Sequence, residues 1–163
     1  LKKLFLLSLM TVGFLGLGAC SKKDVSEEGD MAGDISAVDS ELPMGMAPGT
    51  RIPELSSVYF EFDSFNLTSD AKASLALAAD WLKVNPSQQV QIEGHTDERG
   101  TTEYNLALGD RRAGAAKDYL IMMGVSAAQL STISYGEERP VAIGSNEQAW
   151  AQNRRAEFVA AGY

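Results

Sequence analysis

The stretch from Val90 to Ala113 constrains this chain most, because its period changes partway along. Val90, Ile92 and Gly94 alternate with Gln91, Glu93 and His95, the two-residue period of a half-buried strand. Thr96 to Thr101 is polar and carries Gly100, so the alternation breaks at a corner. From Thr102 the apolar spacing is helical to about Met123, and Gly124 is placed to close that helix in a left-handed conformation. A strand, a corner and a helix in that order commit the chain to a layered fold with helix packed on sheet. Asp97 marks the strand's exit, and Arg112 follows fifteen positions later inside the helix. An anion and a cation joined at one corner suit a zwitterionic ligand.

The segments on either side extend the pattern. Val58, Phe60 and Phe62 alternate in a strand expected to run from Val58 to Asp63. Thr68, Ser69 and Asp70 offer N-cap chemistry for a helix reaching about Val84, where Asn85-Pro86 stops it. Ala71, Leu75, Ala78 and Leu82 form that helix's buried stripe, within about 60° at roughly 100° per residue. After the central stretch come a short turn at Ser126 to Leu130 and a third strand at Thr132 to Tyr135. A loop with Pro140, a short helix at Asn146 to Gln152 and a last strand at Arg155 to Ala160 complete the chain. The order is β-α-β-α-β-α-β: an α+β two-layer sandwich, with a sheet of about four strands and helices on one face.

Residues 54–163 carry that pattern, and the N-terminal third reads differently. Lys2 and Lys3 precede sixteen residues, Leu4 to Ala19, whose only polar members are Ser8 and Thr11. As a helix the run rises about 24 Å, short of the roughly 30 Å hydrocarbon core, so residues 1–19 read as a secretory signal. Its end, Leu17-Gly18-Ala19-Cys20, resembles a bacterial lipobox, which implies cleavage before Cys20 and acylation of that residue. Each buried methylene contributes about 0.8 kcal/mol, so several acyl chains make a lasting anchor where one does not. Ser21 lacks the Asp that retains related enterobacterial lipoproteins in the inner membrane, which fits export to the outer membrane. With Cys20 the single cysteine of 163 residues, no intramolecular disulfide exists. Residues 20–53 hold scattered glycines, prolines and acids without sustained periodicity, the composition of a flexible tether.

Arg112 is the most informative single residue. At roughly 100° per residue, Asn105, Leu108, Arg112, Ala115, Ala116, Tyr119 and Met123 share one face of the second helix, and Arg111 falls on its flank. An arginine facing the protein requires partners, and Asp97 and Asp63 are the candidate carboxylates. Two readings follow. In one, Arg112 and Asp97 form an internal ion pair that ties the corner to the helix. In the other, Arg112 presents its planar fork to a ligand carboxylate while Asp97 accepts from a ligand ammonium, with Thr96 and Asn105 adding neutral groups. Spacing does not choose between them.

Other chemistries find little support. A net charge of −8 disfavours nucleic acid, whose phosphates need clustered Lys and Arg. His95 is the single histidine and has no neighbouring Cys, so neither a metal site nor a cofactor is expected. Ser64 and Ser134 lack a positioned base, and Glu137-Glu138 reads as a solvated loop. Trp81 and Trp150 sit on helical patterns as packing residues. No catalytic constellation is expected, which leaves a wall hydrolase as the disfavoured alternative.

A longer set of motifs runs in a fixed order. Tyr59-Phe60-Glu61-Phe62-Asp63-Ser64 comes first, then Glu93-Gly94-His95-Thr96-Asp97-Glu98-Arg99-Gly100. Tyr104-Asn105, Leu108-Gly109-Asp110-Arg111-Arg112-Ala113, Ser134-Tyr135-Gly136-Glu137-Glu138 with Pro140, and Asn153-Arg154-Arg155 follow. With these, the chain resembles the peptidoglycan-associated lipoproteins, whose periplasmic part is an OmpA-like domain. The likeness covers about residues 54–163. It implies a non-enzymatic protein that holds the diaminopimelate of peptidoglycan stem peptides. Asp97 and Arg112 would grip the zwitterionic end, with Asp63, Thr96, Asn105 and Leu108 lining the pocket. It further implies the β-propeller protein TolB as a partner, the Tol system as the setting, and a role in constriction at cell division. A wall-anchoring lipoprotein outside the Tol system is the alternative. One departure is Thr102, where many relatives carry Pro, although Thr101 remains available as a cap.

Overall fold

The structure, a computed structural model, describes residues 49–161. The expected signal segment, Cys20 and most of the expected tether lie outside these residues. Within them the elements are β1 (Val58–Tyr59), α1 (Ser69–Val84), β2 (Val90–His95), α2 (Thr102–Met122), β3 (Leu130–Gly136), α3 (Glu147–Asn153) and β4 (Arg155–Ala160). A 3-10 turn at Ala127–Gln129 leads into β3. The element order is the one expected from the sequence.

One four-stranded sheet carries the fold, in the order β1-β4-β2-β3. β4 runs antiparallel to both its neighbours, with Ile92 opposite Phe158 and Val58 opposite Ala156. β2 and β3 are parallel, which requires a crossover, and α2 is that crossover. Val90, Ile92, Ala156 and Phe158 meet Leu75, Ala78 and Leu82 of α1 and Ala113, Ala116 and Leu120 of α2 in one buried core. The expected stripe of α1 is buried as read, and Thr68 caps the helix by accepting from the Ala71 amide. Among the described residues, no helix is long and apolar enough to cross a membrane.

Three features depart from the reading of the sequence. The first strand is two residues long, not six. β4 starts at Arg155, opposite Tyr59, so the chain beyond Tyr59 has no strand alongside it except for one bond from the Phe60 amide to the Arg154 carbonyl. The carbonyls that follow are claimed by arginine side chains, and the chain turns at Phe62 and Asp63, where Asp63 has φ 51°. Second, residues ahead of Glu54 already pack on the sheet. Gly49 donates to Ala160, Arg51 bridges Val159, and Ile52 is fully buried in the core. Third, β3 is longer than Thr132 to Tyr135, because its pairing with β2 starts at Val90 opposite Leu130.

The buried stripe of α2 also lies further round the helix than the wheel placed it. Gly109, Ala113, Ala116 and Leu120 are buried with Asn105, Leu108 and Arg112, whereas Ala115, Tyr119 and Met123 are half-buried. Gly94 and Gly109 explain the rotation. A Cβ on Gly94 would stand 1.9 Å from the Gly109 carbonyl oxygen, and one on Gly109 would stand 2.3 Å from Ser134 Oγ. Backbone therefore lies on backbone, and Ser134 Oγ donates to the Leu106 carbonyl at 2.7 Å across the same contact. This close approach sets the first half of α2 against the ends of β2 and β3, where the corner begins.

Candidate functional site: a cavity at the end of β2

The C-terminal end of β2, the corner after it and the start of α2 enclose a cavity of about 220 Å³. Asp63, Thr96, Asp97, Asn105, Leu108 and Arg112, the residues singled out from the sequence, all line it. Phe62, Arg99, Gly100 and Tyr104 complete the wall. Thr101 caps α2 by accepting from the Tyr104 amide, which fixes the corner against the helix.

Arg112 is fully buried at 0% exposure, as its place on the wheel requires. Its partners are not the carboxylates expected. Nε donates to the Ser64 carbonyl at 2.8 Å, Nη1 to His95 at 2.9 Å and Nη2 to Glu61 at 3.1 Å. The chain past β1 folds over the guanidinium and turns its carbonyls inward, so strand-like backbone is spent on an arginine. Burial pushes Arg112 down to about 10, while the nearby charges of Asp97 and Asp63 hold it up and that of Arg154 opposes them. It stays charged at neutral pH. A guanidinium has five N–H groups, so two remain beyond the three given to backbone.

Asp97 is buried and satisfied by other arginines. Oδ1 accepts from the Arg99 amide and from Arg99 Nε, both at 3.1 Å. Oδ2 accepts from Arg99 Nη2 at 2.7 Å and from Arg154 Nη1 at 3.4 Å. Burial raises the affinity of this carboxyl for a proton, but the bonds and charge of Arg99, with help from Arg154, outweigh it and hold Asp97 below its ordinary range. Arg154 is itself locked, donating to the Phe60 carbonyl at 3.0 Å and to Glu147 at 2.7 Å. The Arg99 guanidinium carbon stands over two rings, 3.9 Å from the centre of Phe62 and 4.1 Å from that of Trp150.

The remaining walls are mostly neutral. Asn105 Nδ2 donates to Glu137 at 2.7 Å, and Thr102 donates to the other oxygen of the same carboxylate at 3.0 Å. Tyr104 donates its hydroxyl to Asp63, and this bond to a carboxylate pushes the phenol's pKa up. Thr96 Oγ1 is buried and has no hydrogen-bond partner among the described residues. His95 stacks on Tyr135 with its ring centre 5.7 Å away, and its backbone carbonyl, not its ring, serves Arg112.

Reading the sequence missed Arg99, Arg154, Phe62 and Tyr104. A signal for Arg99 was present: an Asp two positions before it favours a local turn in which the carboxylate accepts the i+2 amide. Arg154 carried no such signal, because it arrives from the other end of the domain.

The OmpA family model matches residues 59–154, which includes every residue of this cavity. The chain belongs to the OmpA family. Within that family it groups with the peptidoglycan-associated lipoproteins. It is 48% identical to the Pseudomonas putida peptidoglycan-associated lipoprotein over 142 residues, 82% of this chain and 85% of that protein. The protein of the same name from Pseudomonas aeruginosa is 48% identical over 150 residues, covering 85% of this chain and 86% of the relative. Among solved structures, the crystal structure of the peptidoglycan-associated lipoprotein from Burkholderia pseudomallei superposes with a TM-score of 0.62 at 50% identity. That match covers 63% of this chain and 87% of the other. OmpA-family membership accounts for the mixed four-stranded sheet with its helices, and the resemblance stated from the ordered motifs holds.

Proposed function

We propose that this protein is a non-enzymatic tether between the outer membrane and the cell wall. Residues 1–19 direct export, acyl chains on Cys20 enter the outer membrane, and residues beyond Cys20 give reach to a domain that faces the periplasm. The domain holds peptidoglycan without a covalent bond, taking the zwitterionic end of diaminopimelate in the cavity at the end of β2. Arg112 offers its two remaining N–H groups to the carboxylate, Asp97 accepts from the ammonium, and Thr96 supplies a neutral hydroxyl. Asp63, Asn105 and Leu108 shape the wall. By likeness to its relatives the protein works with TolB in the Tol system during envelope constriction.

The observation that supports this most is the chemistry of the cavity floor. A buried guanidinium with spare donors and a buried hydroxyl without a partner line the same space. Buried polar groups are ordinarily satisfied, so these point to a polar ligand. Thr96→Val separates ligand binding from folding, because it removes the hydroxyl while keeping the shape. The expected result is weaker sedimentation with purified peptidoglycan and an unchanged melting temperature. Undiminished binding would count against the cavity as the wall site. Crosslinking to TolB in envelope preparations tests the partner; its absence would leave the wall-anchoring function outside the Tol system.

A further inference from the structure

A carboxylate has about four acceptor positions, and all four on Asp97 are filled by the protein itself. A ligand ammonium therefore cannot reach Asp97 unless a donor leaves. The donors differ in how firmly they are held. Arg154 has a side chain only 7% exposed and is fixed by the Phe60 carbonyl and Glu147. The Arg99 side chain is 30% exposed, lines the cavity and, among the described residues, makes no hydrogen bond other than those to Asp97. Its stacking partner Phe62 is 56% exposed, on the turn beside Asp63. A second anion also stands within reach: Glu147 Oε2, on the exposed side of the site, is 3.8 Å from Arg99 Nη2.

We propose that Arg99 is a displaceable place-holder, occupying the ammonium position on Asp97 until a ligand ammonium takes it over and Arg99 swings out to Glu147. This rests on the proposed assignment of Asp97 to the ligand ammonium. The exchange conserves charge, since one cation replaces another on a buried carboxylate that is never left unpaired. It also makes Arg99 a specificity-determining residue. A ligand with carboxylate alone gains Arg112 and leaves Arg99 in place. A ligand with both groups must supply enough at Asp97 to expel an internal competitor.

Arg99→Met removes that competitor while its unbranched stem still fills the gap between the Phe62 and Trp150 rings. The test uses the full chain in detergent with two synthetic peptides. One is L-Ala-D-Glu-meso-diaminopimelate, and the other is the same tripeptide with its far amine replaced by hydrogen. Titration calorimetry should show Arg99→Met binding the diaminopimelate peptide tighter by a factor on the order of ten, with the amine-free peptide unchanged. A second readout needs no substitution: Trp150 loses the Arg99 guanidinium from its face on exchange. Tryptophan emission of the unaltered chain should then shift with the diaminopimelate peptide and not with the amine-free one. If Arg99→Met weakens both peptides, or emission does not change, Arg99 is a fixed wall and the place-holder is refuted, while the wall-binding reading stands. If the unaltered chain binds the two peptides equally, Asp97 takes no ammonium, and the assignment and the place-holder fall together.

Discussion

Replacing Arg112 with lysine tests whether this residue is held by backbone carbonyls or by a carboxylate. Lysine keeps the charge and most of the length, but its single ammonium cannot serve the carbonyls of Ser64, His95 and Glu61, which approach the guanidinium from different nitrogens. A hydrogen bond to a charged donor contributes about 1.5–3 kcal/mol, and lysine would keep one of the three. The loss is therefore about 3–6 kcal/mol. The bonds to Ser64 and Glu61 are only partly buried, so water recovers some of it and the lower end is expected. For a domain of this size about 3 kcal/mol lowers the melting temperature by roughly 10 °C. Thermal unfolding followed by circular dichroism at pH 7 measures it. If Arg112→Lys melts within 3 °C of the unaltered chain (about 1 kcal/mol), the carbonyl cradle does not hold the loop after β1. An ion pair would have tolerated lysine, so that result would return the role to Asp97 or Asp63.

Four further outcomes are expected. Gly109→Ala should destabilise the domain by about 2–3 kcal/mol, since its Cβ would meet Ser134 Oγ at 2.3 Å and the Gly94 oxygen at 2.8 Å. Gly114→Ala, on the same helix with nothing within 4 Å, should stabilise by up to about 1 kcal/mol; urea titrations of the pair check both. Asp97 is held below its ordinary value of 3.8, so its contribution is complete above that pH and is lost as pH falls through the folded value. The melting temperatures of the unaltered chain and Asp97→Asn should then differ by a constant amount above pH 5 and converge in acid; a gap that persists in acid would refute the ionic role. Cys20→Ala should move the protein from the membrane to the soluble fraction on cell fractionation, and retention in the membrane would exclude acylation as the anchor.

The elements were legible because each declares its own period: alternation from Val90 to His95, helical spacing from Thr102, and caps at Thr68 and Thr101. The site residues were legible because the corner and the helix that carry most of them are adjacent in sequence. What could not be read was pairing. Arg112 is bonded to carbonyls 48 and 51 residues away, and the loop bearing them looked like strand, since Phe60 and Phe62 keep its alternation. Alternation shows which way side chains point and says nothing of whether a neighbouring strand exists to pair with. β4 starts only at Arg155, and the antiparallel strand opposite stops there at Tyr59. The rotation of α2 had a sequence signal that carried no weight alone: Gly109 is a poor helix former in mid-helix, and such a glycine marks close packing.

The two roles weighed for Arg112 cease to be alternatives once its donors are counted. Two N–H groups hold the loop, one holds the end of β2 and two are spare, so a structural cation also lines the cavity. Because carbonyls and not a carboxylate hold it, an incoming carboxylate meets a cation with no ion pair to break. Asp97 presents the opposite situation, with every acceptor position taken. On the proposed assignment, the two ends of a zwitterion therefore bind on unequal terms: the carboxylate enters freely, and the ammonium has to displace Arg99. A tripeptide with lysine in place of diaminopimelate offers only the ammonium, and it leaves the spare donors of Arg112 without a new acceptor. The tripeptide lacking the far amine offers only the carboxylate and leaves nothing unpaired. Of these single-group ligands the carboxylate peptide should bind more tightly, by a factor on the order of ten in competition against labelled diaminopimelate peptide. The reverse order would mean that Asp97 is the open end of the site and Arg112 the closed one.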